Sequence, residues 1–248
     1  MPTHFFSLPS EIRNTIYELL VLQAEPIIPW DKYWRVGLTS GLFRVNKAVH
    51  RESTSLFYSH NRFDFTVNSF EEMDAFFRQI GDTNAHYIQH ICLEFPMFVH
   101  RAAEDVAIEA DDARYFNKLR QHCSGLSTLT TSVSSTSLAE SRLGALDSPE
   151  LVVRVLKLVD ELFKSFSSLH EVIVEVYEDG RSDLVRREME VLGWTVRTTE
   201  HFEDTGSERR FDDSDESDLW DGYDRSDGYD DYDYDIDNDS DFWRRAGD

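Results

Sequence analysis

The side chains best suited to metal chemistry are two histidines and a cysteine near the middle of the chain. His86 and His90 stand four residues apart, and Cys92 follows two residues later. On a helix the two imidazoles would share one face and could bind zinc. The surrounding residues instead alternate as in a strand, where His90 and Cys92 share a face but lack two further ligands. The sequence therefore predicts a partly buried core strand here and no metal site.

A second candidate for cation binding lies near the C-terminal end of the sequence. Asp233, Asp235 and Asp237 match the first three ligands of an EF-hand calcium loop. That loop needs glycine at its sixth position and a bidentate glutamate at its twelfth, where this chain has Asn238 and Arg244. We therefore expect at most weak, diffuse calcium binding, and no cofactor.

Nucleophilic catalysis has little support in the sequence. The segment 37–41, Gly-Leu-Thr-Ser-Gly, comes nearest to a nucleophile elbow, but Thr39 occupies the nucleophile position and no strand precedes it. The sequence contains no glycine-rich phosphate loop and no dinucleotide-binding fingerprint. We predict no catalytic residues and a protein that is not an enzyme. The alternative is a hydrolase whose scattered catalytic residues meet only in a pocket of the folded chain.

Charge argues against nucleic acid as a partner. The 248 residues include 25 basic and 48 acidic side chains, a net charge of −23, and the stretch 203–248 contributes 19 acidic and 5 basic residues of these. Such a chain repels phosphate, so we expect any charged partner to be basic. The sequence has only two cysteines, which favours a reducing compartment, and it has no secretory signal and no apolar run of about 18 residues. We therefore expect a cytoplasmic or nuclear protein that is neither secreted nor bound to a membrane.

The first element that the sequence predicts is a helix over Leu8–Leu20. Ser7 can cap its free amides, and Pro9 is tolerated in a first turn. Its apolar residues recur with helical spacing, so we expect one stripe that packs on a second helix. The stripe consists of Ile12, Ile16, Leu19 and Leu20.

The next stretch predicts a second helix, a strand and a third helix. The second helix ends near Asn61, and the alternation of Phe63 and Phe65 with polar residues then indicates a half-buried strand. Ser69 and Glu72 form a capping box for the third helix, which we expect to end at glycine 81. The apolar stripe of the second helix comprises Leu42, Val45, Val49, Leu56 and Phe57.

Several motifs within residues 5–95 together resemble a known group of proteins. Leu8-Pro9-x-Glu11-Ile12 looks like the opening of an F-box helix. The runs 42–52, 56–58 and 61–65 are similar to segments of fungal F-box-like proteins, which include the EXR-domain family with its repeated Glu-x-Arg triplets. The chain departs from these patterns because the second triplet is absent and about twenty residues separate the two helices.

The resemblance implies a non-enzymatic protein-interaction module that links a client to the Skp-type adaptor of a cullin-type ubiquitin ligase. It implies that the adaptor binds exposed residues of the first helix, namely Leu8, Pro9, Ile12, Ile16 and Leu19. The alternative is an interaction protein unrelated to the ligase, in which these residues belong to the core and an acidic tail binds a basic partner, histone-like or transcriptional.

Beyond residue 85 the predicted strands and helices alternate, which favours a mixed α/β (α+β) fold with β-α-β-α-β units and a mostly parallel sheet. Strands are expected within 90–95, 126–133, 169–177 and 194–196. Helices are expected around Phe116, from Ser148-Pro149 and from Ser182, and a serine-rich loop over Ser132–Asp147. We divide the chain into an F-box-like module (1–85), an α/β segment that is either separate from it or continuous with it (86–202), and a tail (203–248).

The tail alternates acidic residues with aromatic ones, so it cannot bury enough apolar surface to offset its ordering entropy and is predicted to be disordered. It is either a solubilising extension or an interaction segment. The aromatic anchors of the second interpretation are Trp220, Tyr223, Tyr229, Tyr232, Tyr234, Phe242 and Trp243.

Overall fold

The computed structural model describes residues 4–30, 40–66, 69–102, 105–146, 148–178 and 182–200, and these form a mixed α/β fold around a parallel sheet. The α-helices of this part of the chain are α1 (Ser10–Val21), α2 (Lys47–His60), α3 (Phe70–Tyr87), α4 (Ala110–His122), α5 (Val133–Gly144), α6 (Pro149–Lys164) and α7 (Asp183–Val191). Its strands are β1 (Arg62–Asp64), β2 (His90–Leu93), β3 (Phe98–Ala102), β4 (Asp105–Ile108), β5 (Thr128–Thr131), β6 (Glu171–Tyr177) and β7 (Thr195–Thr199). Short 3-10 helices lie at Phe5–Ser7 and Ser40–Arg44.

The main sheet has the strand order β1-β2-β5-β6-β7, and each neighbouring pair is parallel. The prediction of a mostly parallel sheet is therefore confirmed. Ile27 adds a parallel bridge to Phe63 at the β1 edge. Each crossover between these strands carries at least one helix, as parallel neighbours require.

The two faces of the sheet carry different side chains because successive residues of a strand point to opposite faces. Phe63, Ile91 and Leu129 are neighbours in register and belong to the main apolar cluster. The adjacent register row contains Asp64, Cys92, Thr130 and Ile173. Its buried apolar members, Cys92 and Ile173, lie outside that cluster. The helices that pack on the sheet therefore share their core with the first face.

The ends of several helices lie where the sequence predicts them. Asn61 is the C-cap of α2, and the capping box of Ser69 and Glu72 opens α3. Ser148 caps α6, with Pro149 in its first turn. Ser182 caps α7 by accepting a hydrogen bond from the backbone N–H of Val185. These local signals predict helix boundaries well because each one satisfies amides that the helix leaves free.

Gly81 ends the first helical piece of α3, as the sequence predicts, but the sequence does not predict the second helical piece that follows it. Gly81 has a non-helical backbone with φ +76°, yet helical structure resumes after it and continues to Tyr87. The glycine therefore makes a kink between two helical pieces, since its positive φ interrupts the helical backbone. The continuation buries Asn84 and Ala85, and this burial stabilises the extra turns.

The prediction of a loop over Ser132–Asp147 is wrong, because this stretch contains α5. Ser132 caps the helix by accepting a hydrogen bond from a first-turn backbone N–H, and the hydroxyl of Thr136 donates to the Ser132 carbonyl oxygen at 2.8 Å. Thr136, Ala139 and Leu143 are buried along one side of α5, which contacts β6. Packing of that side overrides the weak helix propensity of the serines.

Two further features lie outside the predicted pattern. β3 and β4 form an antiparallel hairpin, and buried residues of both strands belong to the main cluster. The boundary drawn between residues 85 and 86 falls inside α3, and the sheet and the apolar cluster both contain residues from either side of it.

Candidate partner-docking site

The residues predicted to bind a partner lie on α1 and on the short segment before it. Ile12 is 49 % exposed and Leu19 is 81 % exposed, although both are large and apolar. Pro9 is exposed, and Leu8 and Ile16 are half-buried. Ile12, Ile16 and Leu19 have helical spacing, so the structure brings them onto one outward-facing side of α1.

The expectation that this stripe packs against α2 is wrong for Ile12 and Leu19. The fully buried residues of α1 are Tyr17 and Val21, while Val45, which belongs to the predicted opposing stripe, is 63 % exposed. The helix is therefore rotated from the predicted orientation. Burial of Tyr17 stabilises the fold more than burial of Leu19 would. The aromatic ring of Tyr17 removes a large apolar surface from water, and its hydroxyl keeps a hydrogen-bond partner.

That polar partner is a carboxylate on α2. The hydroxyl of Tyr17 donates to Oε2 of Glu52 at 3.0 Å. Arg13 donates to the same carboxylate from Nε at 3.0 Å and from Nη2 at 2.8 Å, and its Nη1 donates to the carbonyl oxygen of Leu8 at 2.8 Å. These three side chains, which we call the α1–α2 clamp, fix α1 on α2 and tie down the segment that enters α1.

The clamp has the electrostatics of a satisfied ion pair. Hydrogen bonding to Arg13 lowers the pKa of Glu52 below its ordinary range. Burial, followed by the hydrogen bond to Glu52, raises the pKa of Tyr17 to about 12. Glu52 is therefore ionised and Tyr17 protonated at neutral pH, so the hydrogen bonds of the clamp persist under ordinary conditions.

Asn61 holds the other end of α1. Its side-chain amide donates to the carbonyl oxygens of Val21 at 3.0 Å and Phe57 at 2.9 Å, and its Oδ1 accepts from the backbone N–H of Gln23 at 2.8 Å. One side chain thus satisfies the C-terminal groups of α1 and α2 together. With the α1–α2 clamp at one end and Asn61 at the other, the exposed apolar side of α1 is held in a fixed orientation.

The sequence prediction missed the α1–α2 clamp. The helical pattern places Arg13 and Glu52 away from the apolar stripes, and 39 residues separate them. One signal was available: the two side chains have opposite charges and lie on two segments that the sequence predicts to be packed helices. Their pairing depends on the rotation of α1, which periodicity alone does not determine.

The candidate metal ligands do not come together. His86 lies in α3, where its Nδ1 is 2.7 Å from the hydroxyl of Ser124. His90 lies in β2, with its Nε2 2.8 Å from the hydroxyl of Thr130. Burial, followed by two nearby arginines, lowers the pKa of His90 to about 4, and burial raises the pKa of Cys92 to about 12. Over the ranges that the structure describes, no group of three or more potential ligands is present.

Other sequence predictions fall on residues that the structure does not describe. They are the nucleophile-elbow residue Thr39, the calcium-loop candidates Asp233, Asp235 and Asp237, and the predicted disorder of 203–248. The tail anchors Trp220, Tyr223, Tyr229, Tyr232, Tyr234, Phe242 and Trp243 also lie outside the described residues.

Within the described ranges, every helix is too short or too polar to cross a bilayer. Comparison of the chain with protein-family models, with curated protein sequences and with solved structures found no match.

Proposed function

We propose that the protein is a non-enzymatic interaction module that docks the Skp-type adaptor of a cullin-type ubiquitin ligase on the exposed side of α1. The residues at the contact are Leu8, Pro9, Ile12, Ile16 and Leu19. The α/β segment that follows carries the client. The mechanism is scaffolding, in which the chain brings two proteins together and makes or breaks no bond itself.

The exposure of Ile12 and Leu19 is the observation that supports this proposal most directly. Soluble proteins seldom leave large apolar side chains exposed in a row, and such rows mark interaction sites. Removing one leucine or isoleucine side chain from water contributes about 1.5–3 kcal/mol. The sequence resemblance to the opening of an F-box helix supplies the identity of the occupant.

The α1–α2 clamp also supports a docking role. Arg13, Glu52 and Tyr17 hold α1 in one orientation, so a partner does not have to order the helix when it binds. Such preorganisation reduces the entropic cost of association. The partner therefore meets a fixed row of side chains with the spacing typical of a helix that fills a hydrophobic groove.

The test is calorimetric binding of the full chain to the purified Skp-type adaptor of the source organism. Ile12→Asp combined with Leu19→Asp should weaken binding more than tenfold, because anchor residues contribute about 2 kcal/mol each. The matched control is Val191→Asp, which alters an apolar residue of α7 that is 78 % exposed. The control should bind like the wild type.

Circular dichroism should first show that each variant keeps the helical content of the wild type. The proposal is refuted if the folded wild type does not bind the adaptor. It is equally refuted if the double variant and the control bind alike.

A second candidate function rests on the charge of the tail. Residues 203–248 contain 19 acidic and 5 basic side chains, and such a segment attracts a basic protein. In this case deletion of Glu203–Asp248 should remove binding to a basic, histone-like partner. Binding that survives both the deletion and 0.5 M salt would contradict it, since exposed charges at that ionic strength are screened within roughly 4–5 Å.

A further inference from the structure

We draw no further inference here: the strongest candidate, the face of the main sheet that carries Cys92 and Ile173 and lies opposite the main apolar cluster, presents side chains of both charges, Arg197 and Glu175 among them, and nothing in the part of the chain that the structure describes shows what covers it.

Discussion

Gly125 gives a sharp test of how α3, α4 and β5 fit together. A Cβ atom built on Gly125 would lie 2.2 Å from the carbonyl oxygen of His86 and 3.4 Å from its carbonyl carbon. These are backbone atoms in the last turn of α3, so no side-chain rotation relieves the contact. Gly125→Ala must therefore separate α3 from the turn that leads into β5.

The size of the effect follows from this geometry. Overpacking costs about 1–3 kcal/mol, and a collision with rigid backbone belongs at the upper end. Gly144, the last residue of α5, provides the matched control because a Cβ atom added there would have no neighbour within 4 Å. Alanine at this position should stabilise the helix by about 0.5–1 kcal/mol, since it restricts the unfolded chain more than glycine does.

Urea unfolding followed by circular dichroism measures both variants. The free energies of unfolding of Gly125→Ala and Gly144→Ala should differ by about 2–4 kcal/mol, with the first variant below the wild type. Wild-type stability for Gly125→Ala, or equal destabilisation of both, would refute the placement of the α3 terminus against the turn before β5.

Three further predictions concern packing and pH. Leu143 is fully buried on α5, whereas Leu138 on the same helix is exposed. Leu143→Ala should therefore lower the free energy of unfolding by about 2–5 kcal/mol, and Leu138→Ala by less than about 0.5 kcal/mol. Equal small effects of the two variants in urea unfolding would contradict a packed α5. The pKa of His90 is lowered to about 4. The stability that neutral His90 contributes is therefore complete above about pH 6.5 and is lost as the pH falls toward 4. An NMR titration that gives an ordinary histidine pKa would contradict the burial of His90. The pKa of Glu52 is lowered by Arg13. The stability that ionised Glu52 contributes is therefore present above the ordinary carboxyl pKa range and is lost as the pH falls through the pKa of Glu52 in the folded protein. Glu52→Gln should remove this part of the pH dependence of Tm, and an unchanged pH profile would argue against the α1–α2 clamp.

Much of the fold was predictable because its signals are local. Ser69, Ser148 and Ser182 each stand at the start of an apolar helical pattern, and each caps a helix in the structure. The alternation of apolar strands with helices then left a parallel sheet as the natural arrangement. No long-range information was needed for these assignments.

The errors arose where tertiary packing outweighs a local signal. The serine-rich composition of 132–147 favoured a loop, but the buried side of Thr136, Ala139 and Leu143 makes it a helix. The sequence predicts the end of a helix at Gly81 correctly, but it does not predict the helical piece after the kink, which buries Asn84 and Ala85.

The candidate docking site was predictable only in part, because tertiary packing decides which side chains of α1 are exposed. The apolar row of α1 is visible as a helical repeat, but its exposure depends on the burial of Tyr17 instead.

The most direct test of the central claim is site-specific photocrosslinking from α1. The photoreactive residue p-benzoylphenylalanine replaces Leu19 in one sample and Val191 in the other, both of them exposed apolar positions, and each is irradiated with the purified Skp-type adaptor. Docking through α1 predicts a covalent product from position 19 and none from position 191. Equal crosslinking from both positions, or none from position 19, would contradict it.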